Sequence, residues 1–420
     1  MIIDGMGTPH PLRRTAVALL IAVALASTPS AVATGRQDSV WRGAWAASPQ
    51  APSAPGWSPR GFEDHTVRQV VRVTAGGDRT RIELTNRYGS TPLRIAGATV
   101  ARAARGGAVE PGSVRHLRFG GRESATVPVG GTLLSDAARF PVEAFDALAV
   151  TLHLAEATGP ATFHRVASAT AYRAAGDHRA DASGEAFRET GGSWYLLSGV
   201  EVSGGREAGR RDGVVAFGDS LTDGVGSTPD ADGRYPDELA ERLAAAGRPR
   251  AVLNHGISGN RVLSDGPRAG EKALDRFRKD VLTERGVRTV VLLEGINDIG
   301  FRPPGSPAGA APGVSAEQLA EGHLALIREA RARGLRVVGA TLTPVKGSGY
   351  DSPANEAVRD AFNHWVRTSG AYDAVIDFDR ALADPADPDR FLPAYDSGDG
   401  LHPNDAGYRA MAEAVDPDLL

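Results

Sequence analysis

The 420-residue chain contains no cysteine. Disulfides, thiolate nucleophiles and cysteine-based zinc sites are thereby excluded. If the protein is exported, its stability comes from packing alone, which a chain this long can supply. No dense block of Lys and Arg occurs and the formal net charge is −4, so the footprint of a nucleic-acid binder is missing. No apolar run approaches the ~20 residues that span a bilayer. Several catalytic signatures are absent too. There is no Gly-x-Ser-x-Gly elbow, no His-Glu-x-x-His and no Gly-x-x-x-x-Gly-Lys-Ser/Thr loop. Gly224-Val225-Gly226 lacks the third glycine of a dinucleotide fingerprint. What remains is a soluble globular composition, 41% hydrophobic and 23% charged, with 51 Gly and 27 Pro for many turns.

The N-terminus reads as an export signal. Arg13 and Arg14 precede the apolar residues 16–26, and the small-residue pattern Ala31-Val32-Ala33 follows. A basic start, a short apolar core and an A-x-A site predict cleavage near Ala33, a secreted protein and no membrane-embedded segment in the mature form.

The rest divides into two styles. Residues 34–205 hold short alternating segments at 66–74, 81–85, 148–154 and 193–197, separated by Gly, Asp and Asn turns. That pattern predicts an all-β sandwich. The polar, glycine-rich stretch 203–213 reads as a linker. From there residues 206–420 alternate strictly. Strands are expected at 214–217, 251–253, 289–293, 337–341 and 374–377. Helices are expected at 235–246, 269–284, 315–333, 355–368 and 404–415, with a capping box at Ser315 and Gln318. Such alternation predicts an α/β domain with a five-stranded parallel sheet covered on both faces. Ligands then bind beyond the C-terminal ends of the strands.

Chemistry-bearing residues fall at those ends. Gly218-Asp219-Ser220-Leu221 follows the first strand, and Asn254 to Arg261 the second. Gly295-Ile296-Asn297-Asp298 follows the third, and Asp399-Gly400-Leu401-His402 precedes the last helix. Acyl transfer needs a nucleophile, a base, a group orienting that base, and oxyanion donors. Ser220, His402 and Asp399 can fill the first three roles. The backbone N–H groups of Ser220 and Gly259 and the amide of Asn297 can be the donors. Asp298 is expected to brace the cleft loops. Asp223 and Arg261 are expected at a solvated surface, and His255 and His164 are expected to be structural. Residues 301–313 can shape the cleft rim.

These four ordered blocks resemble the SGNH hydrolases, also called the GDSL esterase/lipase superfamily, over about half the chain. The resemblance implies a flavodoxin-like α/β/α domain with Ser220, Asp399 and His402 as catalytic triad, and no cofactor or metal. The N-terminal half is similar to the β-rich domain that precedes this module in some secreted bacterial members. That implies a serine esterase acting on an acylated small molecule or polysaccharide, with short acyl groups such as acetyl favoured. A lipase or phospholipase is the enzymatic alternative. A carbohydrate-binding protein on an inactive hydrolase scaffold is the non-enzymatic one.

Overall fold

The computed structural model describes residues 40–301 and 313–420. The export signal, and all but the ends of the 301–313 stretch, lie outside the described residues. The described residues form one compact unit.

Two antiparallel sheets open that unit. Four strands run in the order Trp41–Ala46, Leu197–Ser203, Arg79–Thr85, Thr132–Leu134. Six run in the order Glu189–Gly191, Ala171–Ala175, His65–Arg72, Ala147–Leu154, Gly97–Arg102, Arg115–His116. The side chains between them make one apolar core, with Ile82, Val200, Val67 and Val150 all at 0% exposure. This is the sandwich that the alternating pattern predicts. The run at 193–197 is the exception. It breaks into Trp194–Tyr195, paired with Phe163–His164, and the longer Leu197–Ser203. Leu196 between them takes φ +61°, a left-handed conformation that a continuous strand has no place for.

The second half is a parallel sheet in the order Val252–Gly256, Gly213–Gly218, Val287–Leu293, Arg336–Ala340, Ala374–Ile376. Its central strands are mostly Val, Ala, Phe and Leu because both faces are covered. Helices Tyr235–Ala245 and Asp405–Glu413 pack together on one side; Ala273–Asp280, Ala316–Ala332 and Pro353–Thr368 form the other group. The Ser315 capping box is present, with Ser315 N–H on Gln318 Oε1 (2.8 Å) and Gln318 N–H on Ser315 Oγ (3.3 Å). The strand order is that of a flavodoxin-like fold. The chain leaves the first strand between neighbours reached from opposite sides, and the crevice opens there.

The two halves share extensive polar contacts. Thr74 Oγ1 donates to Val252 O (2.9 Å) and accepts from Val252 N–H (3.0 Å), and Arg87 pairs with the buried Asp280. The 203–213 stretch is pinned as well, by Glu207 on Arg42 (2.6 Å) and by Gly205 N–H on Asp78 (2.8 Å).

Candidate active site

Ser220 sits at the crevice because of its neighbours. Asp219 caps the helix Ser220–Asp223, its carboxylate accepting Leu221 N–H at 3.0 Å. Gly256 lets that helix press onto the second strand; a Cβ there would lie 2.2 Å from Asp223 N. Ser220 is thus the first residue of a helix, with its N–H aimed outward.

His402 reaches it from the final loop. Its Nε2 lies 2.9 Å from Ser220 Oγ, and its Nδ1 lies 2.7 Å from Asp399 Oδ2. The other carboxylate oxygen accepts the N–H groups of His402 (2.8 Å) and Leu401 (2.9 Å). Burial works to raise the Asp399 pKa, but the hydrogen bonds from His402 and the loop outweigh it and hold the carboxyl below its ordinary range. A carboxylate on Nδ1 requires hydrogen there, so Nε2 is the basic nitrogen facing the serine.

The three expected oxyanion donors belong to the elements around Ser220. Gly259 adopts φ +83°, which a side chain would strain. Among the described residues, no protein acceptor takes the N–H of Ser220 or of Gly259. The Asn297 amide is oriented at both ends. Nδ2 donates to Asn260 O (3.0 Å), and Oδ1 accepts from Tyr350 OH (2.8 Å). A carbonyl can only accept, so the atom facing Asn260 O is the nitrogen, and its second hydrogen is free. Tyr350 carries no motif in the sequence; only the packing of its loop brings it here. Burial, with the Asp219 charge adding to it, raises its pKa to about 12, so it stays a donor at neutral pH.

Beneath the site lies a sealed polar layer. Arg276, 1% exposed, donates to Gly218 O (2.8 Å), His255 O (2.9 Å) and Asn260 Oδ1 (2.7 Å), and fixes the strand ends that carry the site loops. Glu294 is fully buried 3.5 Å from that guanidinium, and neither of its carboxyl oxygens has a hydrogen-bond partner. Burial, and then the neighbouring Asp219, push the Glu294 pKa well up.

The other named residues sort as follows. Asp298 braces the loops, accepting Val262 N–H (2.8 Å) and Leu263 N–H (3.0 Å). Arg261 lies over the Phe301 ring, 4.6 Å from its centroid. His255 faces the sandwich, between Ser48 Oγ (2.9 Å) and Glu284 (3.0 Å). Those three residue types repeat the site's chemistry, but Ser48 is 0% exposed, so no acyl group reaches it; the chain is a pin between the halves. Asp223 corrects the expectation of a solvated surface. It is 3% exposed and bonded to His164 of the sandwich at 2.9 Å. Nothing in the sequence links a strand residue in one half to a helix residue in the other.

Among the described residues, one set of three carboxylates is close enough to share an ion: Glu356, Asp360 and Asp389. Arg359 already contacts all three. No helix of the described residues is long and apolar enough to cross a membrane.

Residues 216–410 match the family described as GDSL-like lipase/acylhydrolase. No curated protein matches the chain in sequence. Similar solved structures include a lipolytic protein of the G-D-S-L family from Desulfitobacterium hafniense. It is 21% identical over 49% of this chain and 98% of that one, with a TM-score of 0.37. Another is a lipase/acylhydrolase from Enterococcus faecalis, 21% identical over 48% and 92%, with a TM-score of 0.38. A third is an acetyl-xylooligosaccharide esterase from Geobacillus, 22% identical over 49% and 93%, with a TM-score of 0.37.

Proposed function

We propose that this chain, which carries a GDSL-like lipase/acylhydrolase domain over residues 216–410, is a secreted serine esterase that removes short acyl groups, acetyl foremost, from extracellular saccharides. The observation that carries the reading is the continuous chain from Ser220 Oγ through His402 to Asp399, at 2.9 and 2.7 Å. Ser220 Oγ attacks the acyl carbon as its proton passes to His402 Nε2. Asp399 holds the other ring N–H and faces the imidazolium that forms. The oxyanion takes the N–H groups of Ser220 and Gly259 and the free hydrogen of Asn297 Nδ2. As the ester C–O bond breaks, His402 returns its proton to the leaving alcohol. A water then loses a proton to His402 and attacks the acyl carbon, and as the C–Oγ bond breaks His402 passes that proton to Ser220 Oγ and the carboxylic acid leaves.

The surface favours a water-soluble substrate over a lipid aggregate. An enzyme that works on a lipid surface presents a contiguous apolar patch. Among the described residues, only Val40, Val129 and Phe301 are exposed large hydrophobics, and they belong to separate segments. The N-terminal signal pattern supports export, and the sandwich and α/β layers are proposed as the two domains of the mature protein.

A fluorophosphonate probe with an ester screen tests the reading. Wild type should label at Ser220 and release acetate from acetylated xylo-oligosaccharides faster than it cleaves long-chain lipid esters. Ser220→Ala should fold normally, label with nothing, and lose about 10⁴-fold or more in kcat. A Ser220→Ala protein with undiminished turnover would rule the nucleophile out. Preference for long-chain emulsified esters would move the substrate class to lipids.

A further inference from the structure

One contact of the sandwich with the α/β half ends beside an oxyanion donor. His164 lies on the short strand Phe163–His164, and Arg165 follows it. Across from them is Asp223, the last residue of the helix that Ser220 begins.

His164 Nε2 is 2.9 Å from Asp223 Oδ1, and His164 Nδ1 is 2.9 Å from the Ser48 carbonyl. A carboxylate and a carbonyl both accept, so both ring nitrogens carry hydrogen and the ring is an imidazolium. Burial alone would strip that proton, but the Asp223 charge and the hydrogen bonds outweigh it and hold the His164 pKa above its ordinary value. The two side chains are only 4% and 3% exposed, so bulk solvent hardly reaches either charge. Arg234, another cation facing this region, is committed to Asp237 (2.7 Å), Asp232 (3.2 Å) and Ala167 O (2.8 Å). The Trp194 ring packs with its centroid 5.5 Å from that of the His164 ring.

The second oxygen of Asp223 accepts Ser258 N–H at 2.7 Å. Arg165 Nη2 donates to Ser258 O at 3.2 Å, and its Nε to Arg268 O at 3.3 Å. The Ser258 carbonyl belongs to the same planar peptide unit as the Gly259 N–H. In a trans peptide those two groups point in opposite directions, so holding the carbonyl aims the N–H. Ser258 is therefore gripped at its N–H through the His164–Asp223 pair and at its C=O by Arg165. Gly259 itself, at φ +83°, has the backbone freedom that such a grip must restrain.

We propose that His164 and Arg165 of the sandwich are positioning residues for the Gly259 oxyanion donor, acting through Asp223 and the Ser258 carbonyl. The sandwich is then part of the catalytic apparatus rather than an appended module. The inference rests on the esterase reading and adds to it a requirement for the first half of the chain.

The experiment compares full-length wild type, Arg165→Ala and His164→Gln. Three quantities are measured: kcat and KM on p-nitrophenyl acetate, Ki for a phenylboronic acid, whose tetrahedral adduct fills the oxyanion hole, and the melting temperature. Arg165 is only partly buried, so Arg165→Ala should melt within a few degrees of wild type. It should lose about tenfold in kcat, a fraction of the 10²–10³ that complete removal of one donor costs. KM should change less than twofold, and the boronate Ki should rise in step with the kcat loss. His164→Gln should lose more, because it also leaves the Asp223 charge unpaired in the interior. A role in folding alone would lower the melting temperature and the active fraction while leaving the boronate Ki of the folded enzyme unchanged. Folded Arg165→Ala with wild-type kcat and Ki overturns the inference, and it decides alone if His164→Gln does not fold. Wild type that neither turns over acyl esters nor reacts with a fluorophosphonate would instead bring down the esterase reading, and this inference with it.

Discussion

Replacing Tyr350 by Phe removes one hydrogen bond and nothing else from the site, and its consequence can be worked out from the geometry. The Tyr350 hydroxyl donates to Asn297 Oδ1 at 2.8 Å, while Asn297 Nδ2 is anchored on Asn260 O at 3.0 Å. Complete loss of one oxyanion donor costs about 2.7–4 kcal/mol of barrier, or roughly 10²–10³ in kcat. Tyr350→Phe leaves the donor and one of its two anchors in place. The loss should be that of one neutral hydrogen bond, about 1 kcal/mol, or roughly fivefold in kcat. KM should hardly move, because the amide meets the oxyanion and not the planar ester. Asn297→Ala alone should show the full donor loss. In the double variant the tyrosine has nothing left to orient, so its removal should cost little more, giving a coupling energy of about 1 kcal/mol. Steady-state kinetics on p-nitrophenyl acetate with the four proteins measure all of this. Tyr350→Phe equal to wild type while Asn297→Ala is crippled would refute the orienting role. Full additivity in the double variant would place the hydroxyl on the substrate instead.

Asp399→Asn should reduce kcat by about 10⁴-fold with little change in KM, since an amide supports the wrong His402 tautomer; activity within tenfold of wild type would remove Asp399 from the relay. Glu294 has a pKa raised by burial, so its stabilising contribution is complete below the ordinary carboxylate range and declines as pH rises toward its folded value. Denaturant unfolding of wild type and Glu294→Gln at pH 5 and pH 8 should therefore show the variant gaining on wild type at the higher pH, and a constant difference would mean that Glu294 is not held protonated. A fragment beginning at Arg210 should unfold or aggregate, because it uncovers Asp223 and Arg276, now 3% and 1% exposed, and strips their partners His164 and Ser48. A cooperative melt with wild-type kcat on a small acetate ester would show the sandwich to be dispensable.

The order and kind of elements in the α/β half were legible because each segment carries its own signal. Residues 214–217 and 290–293 are continuous apolar runs, and the Ser315 capping box is a local hydrogen-bond pattern. The predicted helix at 269–284 shrinks to Ala273–Asp280. Residues 266–270 are instead taken up in a loop, closed by hydrogen bonds between Gly266 and Gly270 and between Ala269 and Gly266. Helical periodicity does not report such loop closure. The hairpin formed by Ala383–Asp384 and Asp387–Phe391 was not anticipated, its strands being short and rich in Asp and Pro.

The sequence by itself determined the parallel sheet, the sandwich before it, the strand ends where Ser220, Gly259 and Asn297 fall, and the final loop that holds Asp399 and His402. It could do so because strand–helix alternation and turn chemistry are local, and a parallel sheet places its loops at one edge. Tertiary structure alone decided that His402 meets Ser220 across 182 positions at 2.9 Å, that the Tyr350 hydroxyl meets Asn297, and that His164 is paired with Asp223. Those are contacts between groups far apart in the chain. Their partners are chosen by which side chains close packing leaves facing one another, and no periodicity or spacing along the sequence encodes that choice.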